Sequence, residues 1–437
     1  MSNSRRKTLI TYVVPATLTN ACNFLFTIVD GIFVGNGVGT DGLGAVNIAV
    51  PFTMIAMALF MLTSIGGVTI AAIRLGRGNH EGANQAFMHS FTATVIATAV
   101  LSAIGVFFTE PLARMLGAND SYLSMVKDYL FWYSLFIIPS GLSVNLQSFC
   151  RNDGSPILVG VSTAAGTACN IFLDWLFVFP LKMGLMGAAL ATGISQTVTL
   201  LVVLIHFLQK KGVLRFGRFQ NSWALYRKLA FRGLPEMIAQ FATPVTTICM
   251  NRVLLAYIGE IGVNSFSVIS YVASLTFSVL FGSSEGLQPL FGQSYGAKDE
   301  EGLKYYFRSG AMISLVGSGI VVGLTVLFDR SICSMFGTDS ETLAFTIQSM
   351  PRYAWGFIVA GLNILISAYL YSTKRSKQAI VLNIMRSLVV NMVVILGLPA
   401  LLGGGIVWYT FGIYESIVLV LAVVLLKHSE RNGIVYQ

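Results

Sequence analysis

Residues 66–87, GGVTIAAIRLGRGNHEGANQAF, return at 286–307 as GLQPLFGQSYGAKDEEGLKYYF. At a constant spacing of 220 residues Gly66 pairs with Gly286, Gly76 with Gly296, Glu81 with Glu301, Gly82 with Gly302 and Phe87 with Phe307. Working outward, the same spacing pairs Pro15 with Pro235, Gly39 with Gly259 and Gly42 with Gly262. It then runs on through Phe108 and Phe328, Met115 and Met335, Gly117 and Gly337, Tyr133 and Tyr353, and Gly141 and Gly361. One ungapped register over that length is hard to obtain by chance, even between two apolar, Gly-rich segments. The chain is two homologous halves.

Composition places those halves in a bilayer. The chain is 55% hydrophobic and 11% charged, with a mean hydropathy of +0.73, far from the charged quarter of an ordinary soluble domain. A bilayer span needs about 20 mostly apolar residues, and twelve such runs lie at roughly 10–34, 43–73, 86–108, 125–149, 157–180, 184–207, 234–258, 263–290, 308–328, 346–370, 379–399 and 406–426. Six spans per half force both halves into the same orientation. The expected fold is an all-α integral membrane protein, twelve transmembrane helices in two parallel six-helix repeats. The expected boundaries are an N-lobe at 1–207, a cytoplasmic inter-lobe linker at 208–233, loosened by Gly212 and Gly217, and a C-lobe at 234–437. Two similar halves in a membrane imply transport, since rocking one against the other gives alternating access to a central site.

Charge tests the topology, because Lys and Arg concentrate in cytoplasmic loops. With the N-terminus inside, only Arg114, Lys127, Lys182, Arg330 and Arg352 of the 28 basic residues fall outside or at outer span ends, and Arg252 and Arg386 lie within spans, leaving 21 on the cytoplasmic side. The expected location is the cytoplasmic (inner) membrane, multi-pass, with both termini cytoplasmic. A net charge of +9 might point to nucleic acid, but the bases are spread over every inner loop and form no single patch. Membrane lipid is the expected surrounding, nucleic acid is not a partner, and a monomer is expected. Arg5-Arg6 before an apolar run resembles an export signal; the length of the run, Asp30 within it and its repeat partner at 234–258 argue that it is retained. The five cysteines, Cys22, Cys150, Cys169, Cys249 and Cys333, have no paired spacing. No phosphate-binding loop motif occurs, so an ion gradient is the expected energy source.

An ionisable group at mid-span costs a few kcal/mol, so it persists where it faces a cavity or performs a task. Asp30, Asp174, Glu236 and Glu285 stand in apolar runs. Asp30 and Asp174 lie at a similar outer depth of one half, which allows a shared site. Asn170, one turn before Asp174, shares its helical face. A carboxylate beside an amide oxygen suits a monovalent cation or a proton relay, and neither a further metal nor a cofactor is expected. The alternative is that each acid is capped by a neighbouring hydroxyl or amide. Glu236 follows Pro235 where the helix macrodipole favours a carboxylate; Glu285 sits among Ser283, Ser284 and Gly286. Both are candidates for substrate contact or a second coupling role, or for a structural one. Arg252 and Arg386 are expected to pair with an acid or to reach a helix end. Pro15, Pro51, Pro139, Pro235, Pro244, Pro289 and Pro399 are expected to break or bend spans. Met54, Met57 and Met61 follow helical spacing; such a stripe is either core or lipid-facing, or the plastic wall of a pocket for flat cations.

The segment Gln288-Pro289-Leu290-Phe291-Gly292-Gln293-Ser294-Tyr295-Gly296-Ala297 resembles the signature of the multidrug and toxic compound extrusion (MATE) family. So does Ile28-Val29-Asp30-Gly31-Ile32-Phe33-Val34-Gly35, with Arg151-Asn152-Asp153-Gly154 a looser match. The resemblance covers essentially the whole chain. It implies two V-shaped lobes that exchange substrate for sodium or protons. In the branch with an acidic N-lobe, the family's cation site falls here on Asp30, Asp174, Asn170 and Thr192. The branch that relies on acids in spans 7 and 10 fits less well, since span 10 has none. The Tyr-Asn common before the span 1 Asp is Phe26-Thr27 here, so Phe26 is a candidate substrate contact that brings a ring and no hydroxyl.

The function expected is a cation-coupled antiporter exporting amphipathic organic cations. A flippase of lipid-linked saccharides, of the same superfold, would want a basic cavity, and intramembrane bases are few. An intramembrane enzyme would need a catalytic constellation, and His80, His89, His206 and His428 near span ends form none. No enzymatic activity is expected.

Overall fold

A computed structural model of the chain describes residues 2–327, 330 and 340–431. Among the described residues it is helical throughout, with no strand. Cys333, and the repeat partners Phe328, Met335 and Gly337, lie outside them. The chain divides into two compact units, Ile10–Met237 and Ile238–Gln437, the latter joined by Met1–Leu9.

The first unit is built from α1 (Ser2–Gly37), α2 (Thr40–Gly76), α3 (His80–Phe107), the short α4 (Thr109–Met115), α5 (Asp120–Leu135), α6 (Ile137–Asn152), α7 (Pro156–Val178), α8 (Gly184–Leu208) and α9 (Trp223–Ala239). The second has α10 (Ala242–Tyr257), α11 (Glu260–Gly296), α12 (Glu300–Leu327), α13 (Ser340–Ala354), α14 (Gly356–Ser372) and α15 (Ser376–Ile384). A π-helical turn at Met385–Val389 leads into α16 (Val390–Leu402), and a 3-10 turn at Gly404–Tyr409 into α17 (Thr410–Arg431). Among the described residues ten helical segments are long and apolar enough to cross a membrane, or eleven when α5 and α6, bent by 48°, count as one span. The chain is a multi-pass membrane protein. The seventh apolar run is shared between α9 and α10, of 17 and 16 residues, each short for a span.

The sequence repeat is visible in the backbone. Gly39 and Gly259, paired at the 220-residue spacing, both hold φ at +93° and precede helices of 37 residues. The paired turns at Gly78 and Lys298, and at Gly154 and Lys374, are also left-handed, with φ of 71° and 59°, and 90° and 64°. Asn79 caps α3 by accepting the Gly82 N–H at 2.7 Å, and its repeat partner Asp299 caps α12 by accepting the Gly302 N–H at 2.9 Å. A Cβ at Gly82 or Gly302 would strike that cap. The recurrence of both glycines in the sequence therefore has a steric cause.

Pro15, Pro51, Pro235, Pro289 and Pro399 lie inside helices. Pro139 and Pro244 fall in the first turns of α6 and α10, where a missing N–H is no loss. In the first unit, one cluster around Phe52, Phe60, Leu130 and Ile137 and another around Phe87, Phe149 and Phe207 form the core. A buried polar network joins α2, α3 and α6: Thr94 Oγ1 donates to Thr63 Oγ1 at 2.8 Å, and Asn145 Nδ2 donates to Ser90 Oγ and Thr94 Oγ1, both at 2.9 Å. Such interhelical bonds substitute for a hydrophobic driving force that lipid does not supply. On short α4, Lys127 at 2.7 Å and Arg114 hold the Glu110 carboxyl below the usual carboxylate range.

The 208–233 segment, expected to be loosened by its glycines, is tied down instead. Asp153 Oδ1 accepts the Val213 N–H at 2.9 Å, and its Oδ2 lies 2.9 Å from His206 Nε2 while also accepting the Leu214 N–H at 3.2 Å. Asn84 Oδ1 accepts the Arg215 N–H at 2.7 Å, and His89 Nε2 accepts the Ser222 N–H at 3.0 Å. Leu214 is fully buried and Phe216 packs on Phe87. In the second unit, Arg5 pairs with Asp299 at 3.1 Å and with Glu301 at 3.4 Å, which fixes the chain's first turn to the start of α12.

Candidate functional site

Two helices of the first unit carry the acids singled out above. Pro15 packs beside Gly160, and a Cβ on Gly37 would overlap Val178. Parallel α1 and α7 therefore touch near both ends, with Phe33 edge-on to Phe179 at 5.6 Å. Counted from the Gly37 and Val178 contact, Asp30 lies about 10 Å and Asp174 about 6 Å further into the membrane at 1.5 Å per residue. Each carboxylate is within Coulombic reach of the other, and the Asn170 amide faces Asp174. That amide falls short of a hydrogen bond of ordinary geometry. Asp30 Oδ1, both Asp174 carboxylate oxygens and both polar atoms of Asn170 are buried without a hydrogen-bond partner. Asp174 and Asn170 are fully buried and Asp30 half-buried.

Thr192 is at the same height. Gly166 packs against Ser195 and Thr199, and Gly187 against Phe177, an antiparallel register that sets Thr192 level with about residue 172, between Asn170 and Asp174. The carboxylates of α1 and α7, the Asn170 amide and the Thr192 level of α8 thus converge. Among the described residues no group of three or more His, Cys, Asp and Glu could hold a metal ion. Two acids and an amide with buried oxygens short of partners suit a monovalent cation or a proton.

Sequence reasoning missed two neighbours. Tyr129 on α5 is within Coulombic reach of both Asp30 and Asp174 and stacks on Tyr133 at 6.0 Å. Their i, i+4 spacing, and the repeat pairing of Tyr133 with Tyr353, were the available signal. Phe26 and Met54 are half-buried and Met57 is 39% exposed; the core side of α2 is carried by Phe52, Ala56 and Phe60, so the Met stripe lies off the core. Glu236 on α9 and Glu285 on α11 are half-buried, each already engaged in a polar or electrostatic contact.

The second unit holds an acid that sequence reasoning passed over. Glu415 on α17 is fully buried and takes Arg386 from the π-helical turn: Nη2 lies 2.9 Å from Oε1, and Nε donates to Oε1 and Oε2 at 3.0 and 3.1 Å. Asn363 Nδ2 donates to Oε2 at 2.7 Å and to the Glu415 carbonyl at 2.8 Å. The intramembrane Arg386 pairs with an acid, as expected, while Arg252 on α10 is exposed. The 220-residue spacing pairs Gly166 with Arg386 and Ser195 with Glu415. Within the first unit Gly166 packs on Ser195, and within the second Arg386 pairs with Glu415, so a glycine crossing in one half is an ion pair in the other.

A duplicated, all-helical membrane fold with a buried acidic site in one half defines a transporter of the two-repeat class. The MatE family model matches twice, over residues 15–176 and 235–396, two stretches displaced by the same 220 residues. The chain belongs to the MatE family, whose members are transporters and not enzymes. It is 23% identical over 435 residues to the multidrug export protein MepA of Staphylococcus haemolyticus, covering 98% of this chain and 94% of that protein. It is 27% identical over 375 residues to the FAD transporter of Shewanella oneidensis, covering 83% and 81%. In fold it is similar to a mutant of the Vibrio cholerae MATE transporter VcmN, with a TM-score of 0.93 at 18% identity over 100% of this chain and 99% of that one. A MATE structure in the straight conformation gives 0.92 at 21% identity over 97% and 96%.

Proposed function

We propose that the chain is a cation-coupled multidrug exporter of the cytoplasmic membrane, exchanging sodium or protons for amphipathic organic cations by alternating access. The observation that carries this reading is the convergence of Asp30, Asp174 and Asn170 in one place, with Asp30 Oδ1, both Asp174 carboxylate oxygens and the Asn170 amide buried and unpartnered. A cation or proton completes such a site, and its arrival or departure changes the local charge that a cationic substrate meets. Membership of the MatE family and likeness to multidrug export proteins support the substrate class. Thr192 adds a hydroxyl at the same level, and Phe26, Met54 and Met57 supply an adaptable wall.

One cation crossing per cycle supplies about 2.3 kcal/mol per 100 mV, and each unit of pH gradient about 1.4 kcal/mol when the ion is a proton. For a neutral exchange partner, together these sustain a substrate gradient of about five hundredfold without ATP; for a monovalent cation exchanged one for one the membrane-potential share cancels. Reconstituted vesicles given an ethidium-like dye, energised separately by sodium and by pH, test the proposal. One of the two gradients should drive dye accumulation. Movement of a lipid-linked saccharide with no response to the dye would overturn it. The inside location of the termini and of the 208–233 segment is tested on a cysteine-free background. Gln220→Cys should react with an impermeant thiol reagent only from the cytoplasm, and Ser121→Cys only from outside; the opposite pattern reverses the topology.

A further inference from the structure

The second unit holds, among its own helices, a partly open pocket of about 130 Å³, with Thr243 and Ser274 on its exposed side, on the scale that holds one benzene ring. Phe277, Phe281, Tyr353 and Phe411 present ring surfaces to it, with Tyr353 and Phe411 stacked at 4.5 Å. Thr246 and Ser274 also line it, but each hydroxyl donates back to its own helix at 2.8 Å. Arg386 is the one charged residue on the wall, and no acid lines it. Glu415, which neutralises the guanidinium, lies fully buried and off the wall. A charge inside the pocket therefore meets the guanidinium before the carboxylate.

Two further observations mark the place. Arg386 is presented by a π-helical turn in an otherwise α-helical span, a distortion that is frequent at functional sites. The 220-residue spacing also sets Thr246, Ser274 and Phe277 opposite Phe26, Met54 and Met57 of the first unit, with Gly166 opposite Arg386. The two halves have thus diverged in polarity at corresponding positions.

We infer that this cavity binds a single-ring aromatic ligand carrying a carboxylate: the ring lies among Phe277, Tyr353 and Phe411, and the anionic group faces Arg386. The site is separate from the acidic constellation of the first unit and does not depend on its coupling role. Two probes of like size and opposite charge, 4-fluorobenzoate and 4-fluorobenzylamine, test it by ¹⁹F NMR titration of the purified full-length protein. The benzoate should bind saturably and at least tenfold more tightly than the amine. Ser270→Phe, which fills the cavity, should remove benzoate binding. The double variant Arg386→Met, Glu415→Gln leaves no buried charge unpaired and keeps an acceptor for Asn363; it should abolish the tenfold preference with the melting temperature retained. Asp30→Asn should change nothing. Equal binding of the two probes, benzoate binding undisturbed by Ser270→Phe, or its loss in Asp30→Asn would each overturn the assignment; Ser270→Phe decides the matter should the double variant not fold.

Discussion

The first unit buries two carboxylates without a cation beside them, whereas the second buries one carboxylate inside the grip of an arginine and an asparagine. Both arrangements descend from one duplicated sequence. Where the first has Asp30, Asn170 and Asp174, the second has Met250, Val390 and Val394 at the 220-residue spacing; where the second has Arg386 and Glu415, the first has Gly166 and Ser195. A buried charge without an internal partner is costly to fold, so it signals an external partner that comes and goes. A buried charge already paired is held in place. On the proposed function, the difference assigns exchange chemistry to the first unit and a fixed ion pair to the second.

The comparison breaks most visibly at Glu415. Its replacement by Ala leaves Arg386 buried and uncompensated, and removing one partner of a buried pair costs about 3–5 kcal/mol. The detergent-solubilised variant should melt at a clearly lower temperature, and an unchanged melt would mean the pair is not closed. A middle-sized effect is expected at Asp153, whose carboxylate takes His206 and two backbone N–H groups. Asp153→Ala orphans those donors, but the Val213 N–H lies at the exposed surface and re-solvates, so the loss is about 1–3 kcal/mol in all; it should expose the 208–233 segment to proteolysis, and protection equal to wild type contradicts the clasp. The smallest change in stability is expected at Asp174. Asp174→Asn removes a charge that has no internal counterion, so its melting temperature should hold or rise, and a fall like that of Glu415→Ala would show an unrecognised partner.

Much of this contrast was legible in the sequence. Asp30 and Asp174 stood out because each interrupts an apolar run at a matched depth, and the constant 220-residue spacing gave the duplication directly. Glu415 interrupts its run just as plainly at Tyr414-Glu415-Ser416, so its signal was present. The pairing with Arg386 was not, since it joins residues on different helices through a π-helical turn that no periodicity announces. The linker misled for a related reason. Gly212 and Gly217 predict freedom, but the groups that fix the segment, Asp153, His206 and His89, lie on distant helices. Tyr129 is recognised only from its Coulombic reach to Asp30 and Asp174 in the fold, because a tyrosine in a membrane span is unremarked by composition.

The claim that the acids of the first unit form one ion-responsive site is tested most directly by dye transport in vesicles containing Asp30→Asn, Asp174→Asn or wild-type protein, each under a limiting cation gradient. Each single variant, inserted and folded, should lose gradient-driven transport by at least tenfold. Wild-type rates in both aspartate variants would contradict the account.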